Sequence, residues 1–181
     1  MQQIDQSVLF FLNGLHNQFF DRFFWYATKP EVYLPLYFIG MVLAYRQFGK
    51  KIWLLLFCIV LMALLTEQCC EIIKDAVCRL RPTHNPNIAP LIHIVNDYRG
   101  GKYGFPSAHA CNTFGVAAFL YCIMSPKYWS FKWGFFTWAA MMAYSRIYLG
   151  VHYPLDILCG AGLGVSIGLG TAMLATKTFK P

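Results

Sequence analysis

The chain has 181 residues, 57% of them hydrophobic and only 13% charged, with a formal net charge of +7. That balance excludes an ordinary soluble domain and points to a single membrane-embedded domain over residues 1–181. The seven cysteines follow neither a CxxC nor a zinc spacing and mostly fall in apolar runs, so neither a disulfide framework nor a structural metal is expected.

Residues 1–30 are apolar but interrupted by Asn13, His16, Asn17, Asp21 and Arg22. They read as an interfacial amphipathic segment, in one piece or in two broken near Gly14. The first basic residue is Arg22, so no cleavable signal peptide with a basic leader is expected. Five apolar runs follow, at 32–45, 52–72, 107–125, 133–150 and 155–176, each long enough or nearly so to cross a hydrocarbon layer of ~30 Å. The expected fold is all-α, an integral-membrane helical bundle with about five or six transmembrane helices. The second run is expected to remain helical to Leu80, about 43 Å from Ile52 at ~1.5 Å per residue, so that its end emerges among the headgroups. The fifth run carries Gly160, Gly164 and Gly168 at four-residue spacing, a stripe for close helix packing. Between the second and third runs lies a long polar connection, residues 81–106, rich in Pro, Asn and Gly. A loop of that length usually has a function or is disordered.

The basic residues set the orientation. Seven of them, Arg46, Lys50, Lys51, Lys127, Lys132, Lys177 and Lys180, fall on the side of the bundle away from that loop, with no acid among them. The loop side holds the other eight basic residues and all eight acids. Short connections bearing Lys and Arg stay in the cytoplasm. The 81–106 segment is then expected on the extracytoplasmic face of a multi-pass membrane protein. The basic face also suits anionic lipid. Membrane lipids are the expected surroundings, and no nucleic-acid partner is expected.

Three stretches carry chemistry. In KDAVCRLRP, Lys74 and Arg81 lie seven residues apart, and seven helical steps of ~100° return both cations to one face. Pro82 then stops the helix. Two cations at headgroup depth suit a phosphate, with Arg forking onto two oxygens; snorkelling to water is the plain alternative. In FPSAHACNTF, Ser107 reads as the N-cap of the third run, whose helix N-terminus favours an anion, with His109 in its first turn. An ordinary cap beside an interfacial histidine has the same pattern. In SRIYLGVHYPLD, Arg146 ends the fourth run, His152 lies in the turn, and Asp156 sits in the first turn of the fifth run, just after Pro154. An aspartate beside a histidine fixes its tautomer and raises its nucleophilicity; a buried ion pair locking two helices is the structural alternative.

Topology favours function, because all three stretches fall on the loop side, where phosphate is the natural ligand. No carboxylate pair is spaced for metal-assisted chemistry, so no metal and no cofactor are expected. Glu67 and Glu71 precede Lys74 on the same run, and Glu71 reads as the partner that aims the lysine. His84, His93 and Asp97 are too irregularly spaced for a metal and read as solvated loop residues or headgroup contacts.

Taken together, Lys74-x6-Arg81-Pro82, Pro106-Ser107-Ala108-His109 and Ser145-Arg146-x5-His152-x3-Asp156 resemble, in order and spacing, the three signature motifs of the type 2 phosphatidic acid phosphatase family, which vanadium haloperoxidases share. Ala108 stands where that family usually has glycine; its methyl removes no functional group. The resemblance implies a metal-independent lipid phosphatase. In that scheme His152 attacks phosphorus and forms a phosphohistidine, and Asp156 orients it. His109 protonates the leaving oxygen and then activates water, while Lys74, Arg81, Arg146 and Ser107 hold the phosphoryl oxygens. Phosphoryl transfer depends on positioning and charge neutralisation, which three fixed cations supply. The implied substrate is a lipid phosphate or diphosphate. The stretch GGKYGFPSAHACNTFG is similar to small bacterial members that act on undecaprenyl diphosphate, with phosphatidylglycerol phosphate and lipid A as alternatives. A haloperoxidase would need vanadate and an oxidant pocket, against which five spans argue. A non-enzymatic lipid binder or transporter would need no nucleophile.

Overall fold

A computed structural model describes residues 2–179, except the side chains of Pro30 and of residues 177–179. Lys180 and the Lys177 side chain, two of the seven cations used for orientation, therefore lie outside the described part. Within it the chain forms seven α-helices: α1 Gln2–Gly14, α2 Gln18–Ala27, α3 Leu34–Phe48, α4 Ile52–Val77, α5 Ala108–Ile123, α6 Trp129–Tyr148 and α7 Pro154–Phe179. By length and apolarity, Glu31–Val77 and Pro154–Thr176 suffice to cross a membrane, with mean hydropathies of 2.2 and 1.8; α5 is apolar but has 16 residues. Large apolar side chains stand exposed on the outer faces, among them Trp53, Phe57, Leu158 and Leu174. A surface of that kind is covered by lipid rather than water.

The closest helix pair is α5 with α7. They run parallel, and the glycine stripe is the reason. A Cβ on Gly160, Gly164 or Gly168 would collide with the carbonyl oxygen of Ser107, Cys111 or Gly115 respectively. Backbones can meet that closely only where small residues line the contact. α4 runs antiparallel to α5, with Met62 and Thr66 beside Gly115 and Cys70 packed on Ala108 and Cys111. α3 is antiparallel to α6, with Tyr33 against Trp138 and Gly40 against Phe131.

α4 ends sooner than the sequence pattern predicts. It stops at Val77 rather than at Leu80, because Cys78 turns left-handed (φ 51°, ψ 30°) and closes its N–H onto the Lys74 carbonyl at 2.8 Å. The helix is therefore over before Pro82 is reached.

The N-terminal part is two helices, α2 being capped by Asn17, whose Oδ1 accepts the Phe20 N–H at 2.9 Å. In α1 the buried residues are Asp5, Leu9 and Asn13, spaced by one helical turn each. Leu9 is fully buried among Ile88, Ile92, Ile147 and Ile157. Asn13 donates to the Tyr148 carbonyl at 2.8 Å and accepts the His93 N–H at 2.8 Å. Thirteen residues at ~1.5 Å each give about 20 Å, too short to cross a bilayer core. α1 is thus a docked element whose inner stripe fastens the loop to the ends of α6 and α7.

The loop is correspondingly ordered. His93, expected in solvent, stacks on His16 at 3.8 Å and places Nε2 2.8 Å from Asp21 Oδ1. Asp97 is exposed and pairs with Arg99 at 3.0 Å, and His84 sits against the Thr83 hydroxyl.

Candidate active site

A cavity of about 740 Å³ runs between α3 and α4, backed by α5 and α6. One end is charged, with Lys74, Arg81, His109 and His152 in its wall; the other is apolar and reaches Leu55 and Ile52. Lys74 to Ile52 is 22 residues of α4, about 33 Å at ~1.5 Å per residue, close to the thickness of a hydrocarbon core.

Lys74 and Arg81 do reach the same cavity, although not by sharing a helix face. Beyond Cys78 the chain is extended and pairs with residues 102–104. The Arg81 N–H donates to the Lys102 carbonyl at 3.1 Å, and the Gly104 N–H to the Arg79 carbonyl at 2.9 Å. Alternate residues of extended chain share a face, so Arg79 and Arg81 point the same way. Lys74 is aimed from α4 itself, its Nζ 2.5 Å from Glu71 Oε1, as the sequence suggested.

Arg81 is fixed by donating its Nε–H to the Tyr103 carbonyl at 3.0 Å, and its Nη1 lies 3.2 Å from His152 Nε2. A guanidinium can only donate, so Nε2 must carry the lone pair. The imidazole proton then resides on Nδ1, which faces Asp156 Oδ2 at 3.4 Å, off the line of a proper hydrogen bond. Asp156 is wholly buried; its Oδ2 also accepts the Tyr153 N–H at 2.9 Å, and its Oδ1 accepts from Arg79 Nη1 at 2.6 Å. Gly104 lies hard against this group: a Cβ there would sit 3.1 Å from both Arg81 Cγ and Asp156 Oδ2. Burial, aided by the charges of Arg81 and Arg146 and opposed by Asp156, lowers the His152 pKa to about 4. At neutral pH this histidine is an uncharged base with its free lone pair directed at a guanidinium.

Ser107 caps α5 as predicted, its Oγ accepting the Ala110 N–H at 3.4 Å, while its own N–H donates to the Asp156 carbonyl at 2.9 Å. Its hydroxyl proton is left to donate elsewhere. His109 follows in the first turn and lines the cavity. Arg146 is 3% exposed, donates Nη2 to the Tyr98 hydroxyl at 3.2 Å, and leaves Nε without a partner among the described residues. Of the seven residues singled out from sequence, Lys74, Arg81, His109 and His152 are in the cavity wall. Asp156, Ser107 and Arg146 are not: Asp156 faces His152, Arg146 acts on it electrostatically, and Ser107 is bonded to the Asp156 backbone.

Sequence reasoning missed Arg79, Asp5 and Gly104. Arg79 had one available signal, its i−2 spacing from Arg81 in extended chain. Asp5 had another, as an acid on the same α1 face as Leu9 and Asn13.

Comparison with known proteins identifies the family. Residues 51–180 match the PAP2 superfamily. The chain is 38% identical over 170 residues to the lipid A 4′-phosphatase of Bacteroides thetaiotaomicron, covering 91% of this chain and 73% of that protein. It is 31% identical over 169 residues to the lipid A 4′-phosphatase of Porphyromonas gingivalis, covering 92% and 70% respectively. Its fold is similar to the crystal structure of a transmembrane PAP2-type phosphatidylglycerolphosphate phosphatase from Bacillus subtilis, with a TM-score of 0.67, 22% identity, and coverage of 99% of this chain and 87% of that one. With its three motifs gathered at the mouth of one helical bundle, the chain belongs to the PAP2 superfamily and is a membrane phosphatase of lipid phosphates.

Proposed function

We propose that this protein hydrolyses a phosphomonoester of lipid A at the outer face of a bacterial inner membrane, through a phosphohistidine on His152. The observation that carries the reading is the convergence of Lys74, Arg81, His109 and His152 on the charged end of one long apolar cavity. The similarity to lipid A 4′-phosphatases over nine-tenths of the chain supports lipid A over undecaprenyl diphosphate, the substrate suggested by the sequence alone.

In this mechanism the incoming phosphate draws Arg81 off His152 Nε2 and onto its own oxygens, which uncovers the nucleophile. Lys74 and the unpartnered Nε of Arg146 complete the charge, and the Ser107 hydroxyl donates a further hydrogen bond. Nε2 forms a bond to phosphorus as the bond to the leaving oxygen breaks, and His109 gives that oxygen its proton. Asp156 stabilises the imidazolium formed at Nδ1. His109 then takes a proton from water, which attacks phosphorus, releases inorganic phosphate and restores His152. Three cations supply the neutralisation that a metal provides elsewhere, so activity persists in EDTA and is inhibited by vanadate.

The whole chain acts as one domain, with α3–α7 crossing the membrane, the 1–30 segment lying at the interface and the 81–106 loop outside. A cysteine at Asn87 is then labelled by an impermeant reagent in intact spheroplasts, and one at Gln47 only after lysis, in a background freed of reactive native cysteines. Phosphate release by the purified protein from lipid A, phosphatidylglycerol phosphate and undecaprenyl diphosphate tests the substrate. Preference for lipid A is expected, and preference for either of the others overturns that assignment.

A further inference from the structure

Arg79 occupies one of the unspecified positions of the first motif, Lys74-x6-Arg81-Pro82, and Asp5 lies outside the family match at residues 51–180. Yet they are bonded directly to the buried carboxylate behind His152. Arg79 Nη1 is 2.6 Å from Asp156 Oδ1, and Arg79 Nη2 is 2.5 Å from Asp5 Oδ2. The other oxygen of Asp5 accepts the Leu155 N–H at 2.9 Å, next to Asp156 at the start of α7. The guanidinium lies over the Tyr153 ring, 4.0 Å from its centroid. Asp5 is 7% exposed and Asp156 not at all. One cation therefore bridges two buried carboxylates, one on α1 and the other on α7.

We infer that Asp5 and Arg79 are positioning residues for the Asp156–His152 pair, so that α1 forms part of the catalytic apparatus. The inference rests on the reading of His152 as the nucleophile. Asp156 divides its charge between Arg79 and the imidazole, and its 3.4 Å separation from Nδ1 reflects that division. Asp5 draws Arg79 the other way and so governs how much of Asp156 remains for His152. A group placed only to hold helices together would not need to touch the carboxylate that faces the imidazole.

The two residues have opposite electrostatic signs, and this separates positioning from bracing. The other titratable or charged groups acting on the pair are Arg81, Arg146, His109, Tyr153 and Cys159. None of them changes in the variants below. In Arg79→Gln the two carboxylates lose their cation, and the surplus negative charge favours protonated His152. In Asp5→Asn the guanidinium falls to Asp156 alone, and the surplus positive charge disfavours it.

The test is the pH profile of kcat/KM for lipid phosphate hydrolysis by the full-length protein in detergent. Substrate ionisation is common to every variant and cancels in the comparison. Arg79→Gln is expected to lower kcat roughly tenfold or more and to raise the acid midpoint by about half a pH unit or more. Asp5→Asn is expected to lower kcat less and to lower that midpoint. Arg79→Lys should keep the wild-type midpoint. Midpoints that rise together, or that stay fixed while both variants only lose thermal stability, overturn the inference and leave a structural brace. If Arg79→Gln does not accumulate in the membrane, Asp5→Asn decides alone: a lowered midpoint supports the inference, and an unmoved or raised one overturns it. His152→Ala is the control: if it stays active, the proposed mechanism fails, and not this inference alone.

Discussion

The two halves of the bundle are built on different principles. On one side α5 and α7 bring backbone against backbone along Gly160, Gly164 and Gly168. On the other, α3 and α4 stand apart around a cavity of about 740 Å³. The close-packed half carries Ser107, His109 and Asp156 on two helix N-termini that cannot slide relative to each other, with His152 in the turn that leads into α7. The open half carries the apolar wall and one cation of the proposed phosphate site, Lys74. Rigidity is placed where atoms must be held for chemistry, and space where a long hydrocarbon must enter.

The largest expected effect comes from breaking the rigid half. Gly164→Val should cost about 3 kcal/mol or more and abolish accumulation of folded protein, because the new side chain meets the Cys111 carbonyl. Gly162→Val, two residues away on the open face of α7 with no atom within 4 Å, should be tolerated. Thermal unfolding of the two variants in detergent makes the comparison. Next come the cations. Lys74→Ala and Arg81→Ala should each lower kcat/KM at least roughly a hundredfold, about 2.7 kcal/mol, in phosphate-release assays. A silent variant would remove that residue from phosphate binding. The smallest effect belongs to the open half. Ala44→Leu fills part of the cavity from α3, far from the charged end. It should raise KM by about threefold to tenfold with kcat nearly unchanged, since only tail binding is altered. A fall in kcat instead would mean that the two halves are coupled.

The features legible in the sequence are those written in local pattern. The glycine stripe, the Ser107 cap, the break after Gly14 and the Glu71–Lys74 pair each depend on a few neighbouring residues. The placement of Arg81 failed on one dihedral. Cys78 takes a left-handed conformation without being glycine, so nothing in KDAVCRLRP announced that the helix was over. Lys74 and Arg81 still meet, because extended chain paired with residues 102–104 brings Arg81 back. Arg79–Asp5 joins residues 74 apart, and the His93–Asp21 contact spans 72; such pairs leave no periodicity to read. That is also why His93 looked solvated. Its partners lie in a segment that seemed merely interfacial, whereas α1 and α2 dock on the loop and carry Asp5 to the back of the site.

The central claim is that the charged end of the cavity is built around His152 Nε2 as nucleophile. Rapid mixing with a lipid substrate labelled in its phosphate, followed by an alkaline quench that preserves phosphohistidine, tests it most directly. The label should appear on the peptide containing His152, accumulate further in His109→Ala, where water attack is slowed, and be absent from His152→Ala. Label retained in His152→Ala, or steady turnover with no labelled protein at any mixing time, would contradict the account.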